Sequence, residues 1–176
     1  MYLETERLIL REMTGDDLDV LTEIQSDPIV MRFYPQTYNR EESNEILQGI
    51  LQGYKNTGYH RLATIDKKTK QFIGRCGIAD LDLGDQVVPE IGYMLRKEWW
   101  GKGFATEAAR ALRDYGFENL GFNLVISLIR PINTPSQAVA RRSGMRIMRD
   151  VIYKDFEHHV FGITREEWNS LAAVSA

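Results

Sequence analysis

The sequence predicts a mixed α+β fold, with a strand–helix–strand unit in its middle. Three observations carry this. Apolar residues recur at helical spacing in about four segments. About seven further segments have the length, alternation and β-branched content of strands. Between Leu95 and Phe104 a strand-like run passes into a helical one through two closely spaced glycines, Gly101 and Gly103.

Taken in order, Arg7 to Glu12 (RLILRE) reads as a first strand. Thr14 is placed as an N-cap, with Asp16 and Asp17 where negative charge suits the helix dipole. Leu18, Leu21 and Ile24 then form one apolar face, and Pro28 ends the helix. Asn39 and Glu42 have the spacing of a capping box. Ile46, Ile50 and Tyr54 continue a second helix as far as Gly58. RLATID and QFIGRCGIADL flank the polar KKTK and read as a hairpin, followed by VVPEIGYMLR as the fourth strand. Phe104, Ala108, Ala111, Leu112 and Tyr115 share one face of the third helix. Asn123 to Ile129 is a strand of buried type. Ser136 to Ser143 is a short helix closed by Gly144. Met145 to Tyr153 and His158 to Thr164 form a closing antiparallel pair. No linker or repeat interrupts the run, so residues 1–176 are expected to form one domain.

Composition narrows the function. The chain has 176 residues, 43% of them hydrophobic and 27% charged, enough to build a core. A net charge of −3 gives no general attraction to nucleic acid or to an acidic membrane. Cys76 is the one cysteine, so no internal disulfide forms. Glu4, Glu6 and Arg7 interrupt the N-terminal apolar residues, unlike a signal peptide. The expectation is a cytoplasmic protein with no membrane span.

The stretch EWWGKGFATEA (98–108) carries most of the functional signal. A turn that leaves a strand and opens a helix presents unpaired N–H groups at the positive end of the helix dipole, a seat for phosphate. Glycine lets the backbone come close because no Cβ intervenes. The alternative is a tight turn that needs glycine only for its geometry. Two familiar phosphate motifs do not fit. A P-loop requires Ser or Thr after Gly-Lys, and Gly103 stands there. A dinucleotide fingerprint requires a third glycine and an acidic residue after the next strand. Thr106 occupies the first place, and residues 123–133 hold no Asp or Glu.

EIGYMLRKEWWGKGFATEA resembles the acyl-CoA-binding motif of the GNAT superfamily of N-acetyltransferases, and most resembles its RimJ/RimL-type ribosomal-protein branch. NTPSQAVARRSGM, TERLILRE and the EEW ending at Trp168 extend the similarity over nearly the whole chain. The resemblance implies a mostly antiparallel central sheet of about seven strands, splayed between the fourth and fifth, with about four flanking helices. It implies that acetyl-CoA lies in the splay. Gly101, Lys102, Gly103, Phe104, Ala105 and Thr106, with Trp100 before them, would meet the pyrophosphate, and the backbone of Met94 and Leu95 would pair with the pantetheine arm. Asn133 matches the family position that bonds this arm; it also reads as a turn residue between Pro131 and Pro135. Ser136 either reaches the cofactor or caps its helix. Lys102 and Arg141 are candidate phosphate contacts or solvated surface.

Acetyl transfer needs a neutral amine, and a carboxylate can take its proton. Glu90 is the candidate base, sharing a strand face with Gly92 and Met94 and matching a position where some members of the superfamily carry a glutamate. A backbone N–H near Met94 is the candidate oxyanion donor. The position where many members carry an acidic tyrosine is Ala140, so either Ser136, water or another tyrosine meets the leaving thiolate, or no acid is needed, since a thiolate with a pKa of about 8.5 is a tolerable leaving group. Cys76 has no neighbouring His and reads as a buried small side chain. His158 and His159 point to opposite faces of a strand and cannot chelate as a pair, and no metal is expected. The expected activity is acetyl transfer from acetyl-CoA to a primary amine. A protein or peptide N-terminus, such as that of a ribosomal protein, is the leading acceptor, and a polyamine or aminoglycoside is the alternative. A CoA-holding module without turnover is the rival of another class. A second copy of the chain is kept as a candidate partner.

Overall fold

A computed structural model describes residues 1–174; Ser175 and Ala176, at the end of the expected domain, lie outside the described residues. The strands are β1 (Tyr2–Glu4), β2 (Leu8–Arg11), β3 (Arg61–Asp66), β4 (Phe72–Asp82), β5 (Val87–Leu95), β6 (Leu124–Ile129), β7 (Arg146–Tyr153) and β8 (Phe156–Thr164). The helices are α1 (Leu18–Ser26), α2 (Arg40–Thr57), α3 (Phe104–Glu118), α4 (Thr134–Arg142) and α5 (Arg165–Val174). The strands form one sheet in the order β1-β2-β3-β4-β5-β6-β8-β7.

Local chemistry explains most boundaries. Asn39 Oδ1 accepts the Glu42 N–H at 3.0 Å, and Glu42 Oε2 accepts the Asn39 N–H at 2.7 Å, so the capping box starts α2. Gly58 ends it with φ +79°. Thr14 stands before a 3₁₀ turn, Gly15–Asp17, that leads into α1, and its N–H donates to Asp17 Oδ2 at 2.8 Å. The fourth helix starts two residues earlier than its sequence reading. Asn133, not Ser136, caps it: Asn133 Oδ1 accepts the Ser136 N–H at 3.2 Å, and a proline occupies the first turn.

Two layers of helices cover the sheet. On one face Phe104, Ala108 and Leu112 of α3 pack with Cys76, Ile78 and Ile91. On the other, Leu21 of α1 and Leu47 and Ile50 of α2 pack with Met13 and Ala63. The sheet is antiparallel except between β5 and β6, the strands joined through α3. This parallel pair meets at one bridge, Glu90 opposite Ile126, whereas β4 and β5 stay in register from Gly74 opposite Leu95 to Asp82 opposite Val87. Beyond Glu90 the two strands diverge, and that opening is the expected splay.

Candidate active site

A cleft of about 2000 Å³ runs through the splay and reaches the start of α3. Gly101 and Gly103 both adopt left-handed conformations, φ +73° and +85°. A side chain there would be strained whatever the space around it. Gly103 is the residue before α3 and offers no side-chain cap. The N–H groups of Phe104, Ala105 and Thr106 therefore have no partner inside the helix. Trp100, Gly101, Gly103, Phe104, Ala105 and Thr106 all line the cleft, and Lys102 does not. Lys102 turns elsewhere: its Nζ lies over the Trp99 ring, 5.3 Å from the centroid, and its carbonyl accepts from Arg7 Nη1 at 2.9 Å.

The open edge of β5 supplies backbone groups. Ile91 O accepts from Ser127 Oγ on β6 at 2.7 Å, and Arg96 N donates to Ile73 O of β4 at 2.8 Å. Alternation along the strand then turns the polar groups of residues 91, 93 and 95 toward the splay and those of Met94 toward β4. Of the expected pair, Leu95 thus faces the opening together with Tyr93, and Met94 faces β4. The Leu95 carbonyl already accepts from Trp100 Nε1 at 2.8 Å, which ties the tryptophan to the strand end.

Across the cleft, the oxygen of Asn133 is used in capping α4, and its amide NH₂ is left for other partners. Ala140 is buried in the core between α4 and the sheet. Tyr93 reaches over from β5, and its hydroxyl donates to the Ser136 carbonyl at 2.9 Å. That carbonyl lies one helical turn before Ala140, so a phenol from the opposite wall stands beside the position that lacks one. Burial pushes the Tyr93 hydroxyl well above its ordinary range. Ser136 itself lines the cleft.

Glu90 is not a solitary carboxylate. Arg61 of β3 lies across Gly77 and Gly92 and pairs with Glu90 Oε2. The Arg61 guanidinium also donates to Gly77 O at 2.6 Å and to Glu90 O at 2.7 Å. The two glycines make room for it: a Cβ on Gly92 would fall 2.8 Å from Arg61 Cζ, and one on Gly77 2.5 Å from Arg61 Cα. Both side chains are largely buried, 15% and 13% exposed.

The chain matches the family described as acetyltransferase (GNAT) domain over residues 7–146, a span that includes the splay, the glycine turn and α4. The chain belongs to the GNAT acetyltransferases. It is 36% identical over 161 residues to p20 of Bacillus licheniformis, named as an uncharacterized N-acetyltransferase, covering 88% of this chain and 86% of p20. It is 36% identical over 150 residues to YkkB of Bacillus subtilis, covering 85% and 87% of the two chains. Among solved structures, an acetyltransferase from Agrobacterium tumefaciens superimposes with a TM-score of 0.83 at 28% identity, covering 94% of this chain and 95% of that one.

As a GNAT enzyme the chain is an acetyl-CoA-dependent N-acetyltransferase, and its cleft fits that donor. The left-handed glycines and uncapped helix start offer N–H groups to a pyrophosphate, and the β5 edge at Tyr93 and Leu95, where Trp100 takes up the Leu95 carbonyl, offers its remaining backbone groups to an amide-bearing arm. Residues that sequence reasoning missed brace this GNAT turn. Glu107, one turn into α3, accepts from Thr5 Oγ1, from the Arg7 N–H at 2.9 Å and from Arg7 Nε at 2.6 Å. Burial alone would raise the Glu107 carboxyl; these bonds outweigh it and hold the group below its ordinary value. The Arg7 guanidinium also stacks on Phe104 at 4.3 Å. The two halves of this brace stand in TERL and ATEA, both motifs of the family resemblance, and their pairing was the readable signal.

Cys76 is buried, and burial pushes its thiol up to about 11, so it packs rather than reacts. His159 Nδ1 meets Asp150 Oδ1 at 2.5 Å, and His158 Nδ1 meets Phe156 O at 2.9 Å. No described helix is long and apolar enough to cross a membrane.

Proposed function

We propose that the chain transfers the acetyl group of acetyl-CoA to the α-amine at a peptide or protein N-terminus. The observation that carries this reading is the Glu90–Arg61 pair. The guanidinium takes up one oxygen of the carboxylate, so Glu90 has a single side-chain oxygen left with which to accept a proton. Such a base suits an amine that is easily neutralised. An α-amino group, with a pKa of about 7.7–8.0, costs about 1–1.4 kcal/mol to neutralise at pH 7, and a lysine-type amine costs about 4.6.

In this reading the turn from Gly101 to Thr106 holds the pyrophosphate, and the Tyr93–Leu95 edge aligns the pantetheine arm. The amine enters from the α1/α2 face, where Glu90 takes its proton directly or through water. The nitrogen forms a bond to the acetyl carbon as the carbon–sulfur bond breaks. The Leu95 N–H is the donor for the carbonyl oxygen. Tyr93 or Ser136 offers a hydroxyl to the departing thiolate. The RimJ/RimL-type resemblance supports a ribosomal-protein N-terminus as acceptor. So does YdaF of Bacillus subtilis, provisionally named a ribosomal N-acetyltransferase and 38% identical over 101 residues.

The test is a competition between a short peptide with a free N-terminus and spermidine, followed by thiol release from acetyl-CoA. The peptide is expected to have the higher kcat/KM at pH 7. A clear preference for spermidine would move the acceptor to the small cationic amines.

A further inference from the structure

The sheet face that carries Glu90 also carries a guanidinium with no partner. In the β4–β5 register Ala79 stands opposite Glu90, Gly77 opposite Gly92, and Arg75 opposite Met94. In the β3–β4 register Arg61 stands opposite Gly77 and Ala63 opposite Arg75. Opposed residues point to the same side of a sheet, so Arg61, Arg75 and Glu90 share one face. All three line the cleft.

Their charges do not balance. Arg61 is committed to Glu90. Among the described residues the Arg75 side chain has no hydrogen bond or ion pair, and its Nε is buried without an acceptor. Arg32 stands at the rim, over Trp100 at 4.9 Å and Phe33 at 4.6 Å, held by rings rather than by a carboxylate. The other charged acids around the cleft sit on the N-terminal segment or on α3. Glu107 is paired with Arg7, Glu4 with Lys67 and Asp114 with Arg113; Glu6 follows β1. Burial pulls the Arg75 guanidinium below its ordinary value, and Arg61 adds repulsion, while Tyr34 and Glu90 act the other way. A buried donor without a partner is costly, and a guanidinium is shaped to bind a carboxylate through two parallel bonds.

We infer that the acceptor amine carries a carboxylate, and that Arg75 binds it while the amine faces Glu90. This rests on the acceptor nitrogen being an α-amine, as proposed above, and adds a carboxylate to the acceptor. It disfavours polycationic acceptors, whose second charge would meet Arg75 and Arg32. The carboxylate has two possible sources, the α-carboxylate of a free amino acid or an acidic side chain at the second position of a peptide.

Thiol release from acetyl-CoA by the wild-type enzyme distinguishes them, using serine against serinamide and Ser-Asp-Ala-amide against Ser-Asn-Ala-amide. In at least one pair the acid is expected to exceed its amide by about tenfold in kcat/KM, and the pair that does so identifies the source. Arg75→Met is expected to abolish that preference through KM while leaving the thermal shift with acetyl-CoA unchanged. If acid and amide react within about twofold in both pairs, the carboxylate inference is overturned while α-amine acetylation stands. If none of the four reacts and spermidine does, both readings fall. A preference that survives Arg75→Met also overturns the assignment. Should that variant not fold, the wild-type comparison decides alone.

Discussion

Glu90 shows how a single side chain depends on residues distant in sequence. Its position near Gly92 and Met94 is readable from strand alternation, but its partner is not. Arg61 is 29 positions away and arrives through the β3–β4–β5 register, over two glycines that leave the space clear. Glu90→Gln keeps the shape and removes the proton acceptor. The rate is expected to fall roughly 10²-fold, most visibly at neutral pH, with acetyl-CoA binding intact. An unchanged pH–rate profile in that variant would exclude Glu90 from proton transfer. Arg75 and Tyr93 were illegible for the same reason. Arg75 stands in no motif, Tyr93 stands in EIGYMLRKEWWGKGFATEA with no role of its own assigned there, and each acquires meaning only from what lies opposite it.

Elements with local causes were legible, and those held by distant contacts were not. The glycine turn, the α2 capping box and the Gly58 stop each rest on residues a few positions apart. β1 is a three-residue strand that exists through pairing with β2. α5 docks through Trp168, whose ring stacks on Phe117 at 5.1 Å and whose Nε1 donates to Asp114 at 2.7 Å. The β7–β8 pair was legible as two adjacent strands, although its turn, at Lys154 and Asp155 with positive φ, lacks the glycine that signals such turns. The glycine turn at α3 yields a test at this scale. A Cβ on Gly103 would lie 3.3 Å from Arg7 Nη2, the end of a flexible side chain, so a substitution there strains φ more than it crowds neighbours. Gly103→Val is expected to cost about 1–3 kcal/mol of stability, leave the protein folded, and remove most of the thermal shift produced by CoA. A variant retaining the full shift would place the pyrophosphate elsewhere.

Across the whole molecule the sheet links the cleft to the helix layer behind it, and His60 stands at that junction. It follows α2 and precedes β3, with its ring edge-on to Tyr54 at 6.4 Å and against Gly53, where a Cβ would fall 2.3 Å from the ring. Among the described residues its buried Nδ1 has no hydrogen-bond partner. Burial first, and the charges of Arg61 and Arg75 next, lower its pKa from 6.5 to about 4. The folded state therefore holds this histidine neutral, while the unfolded chain protonates it below pH 6.5. Between those values the unfolded state binds more protons, so stability falls as pH falls. From pH 7.5 to pH 5 the expected loss from His60 is about 1–2 kcal/mol. His158, lowered chiefly by burial, adds in the same direction. The buried carboxylates Asp17 and Glu107, both held below their ordinary values, contribute mainly at lower pH. Urea unfolding at the two pH values measures the difference. His60→Phe keeps a ring over Gly53 and cannot titrate, so its loss over this interval should be clearly smaller than that of the wild type, the remainder coming from His158. If the two proteins lose the same stability, the junction is not protonated on unfolding as its burial requires, and the acid sensitivity lies in another part of the fold.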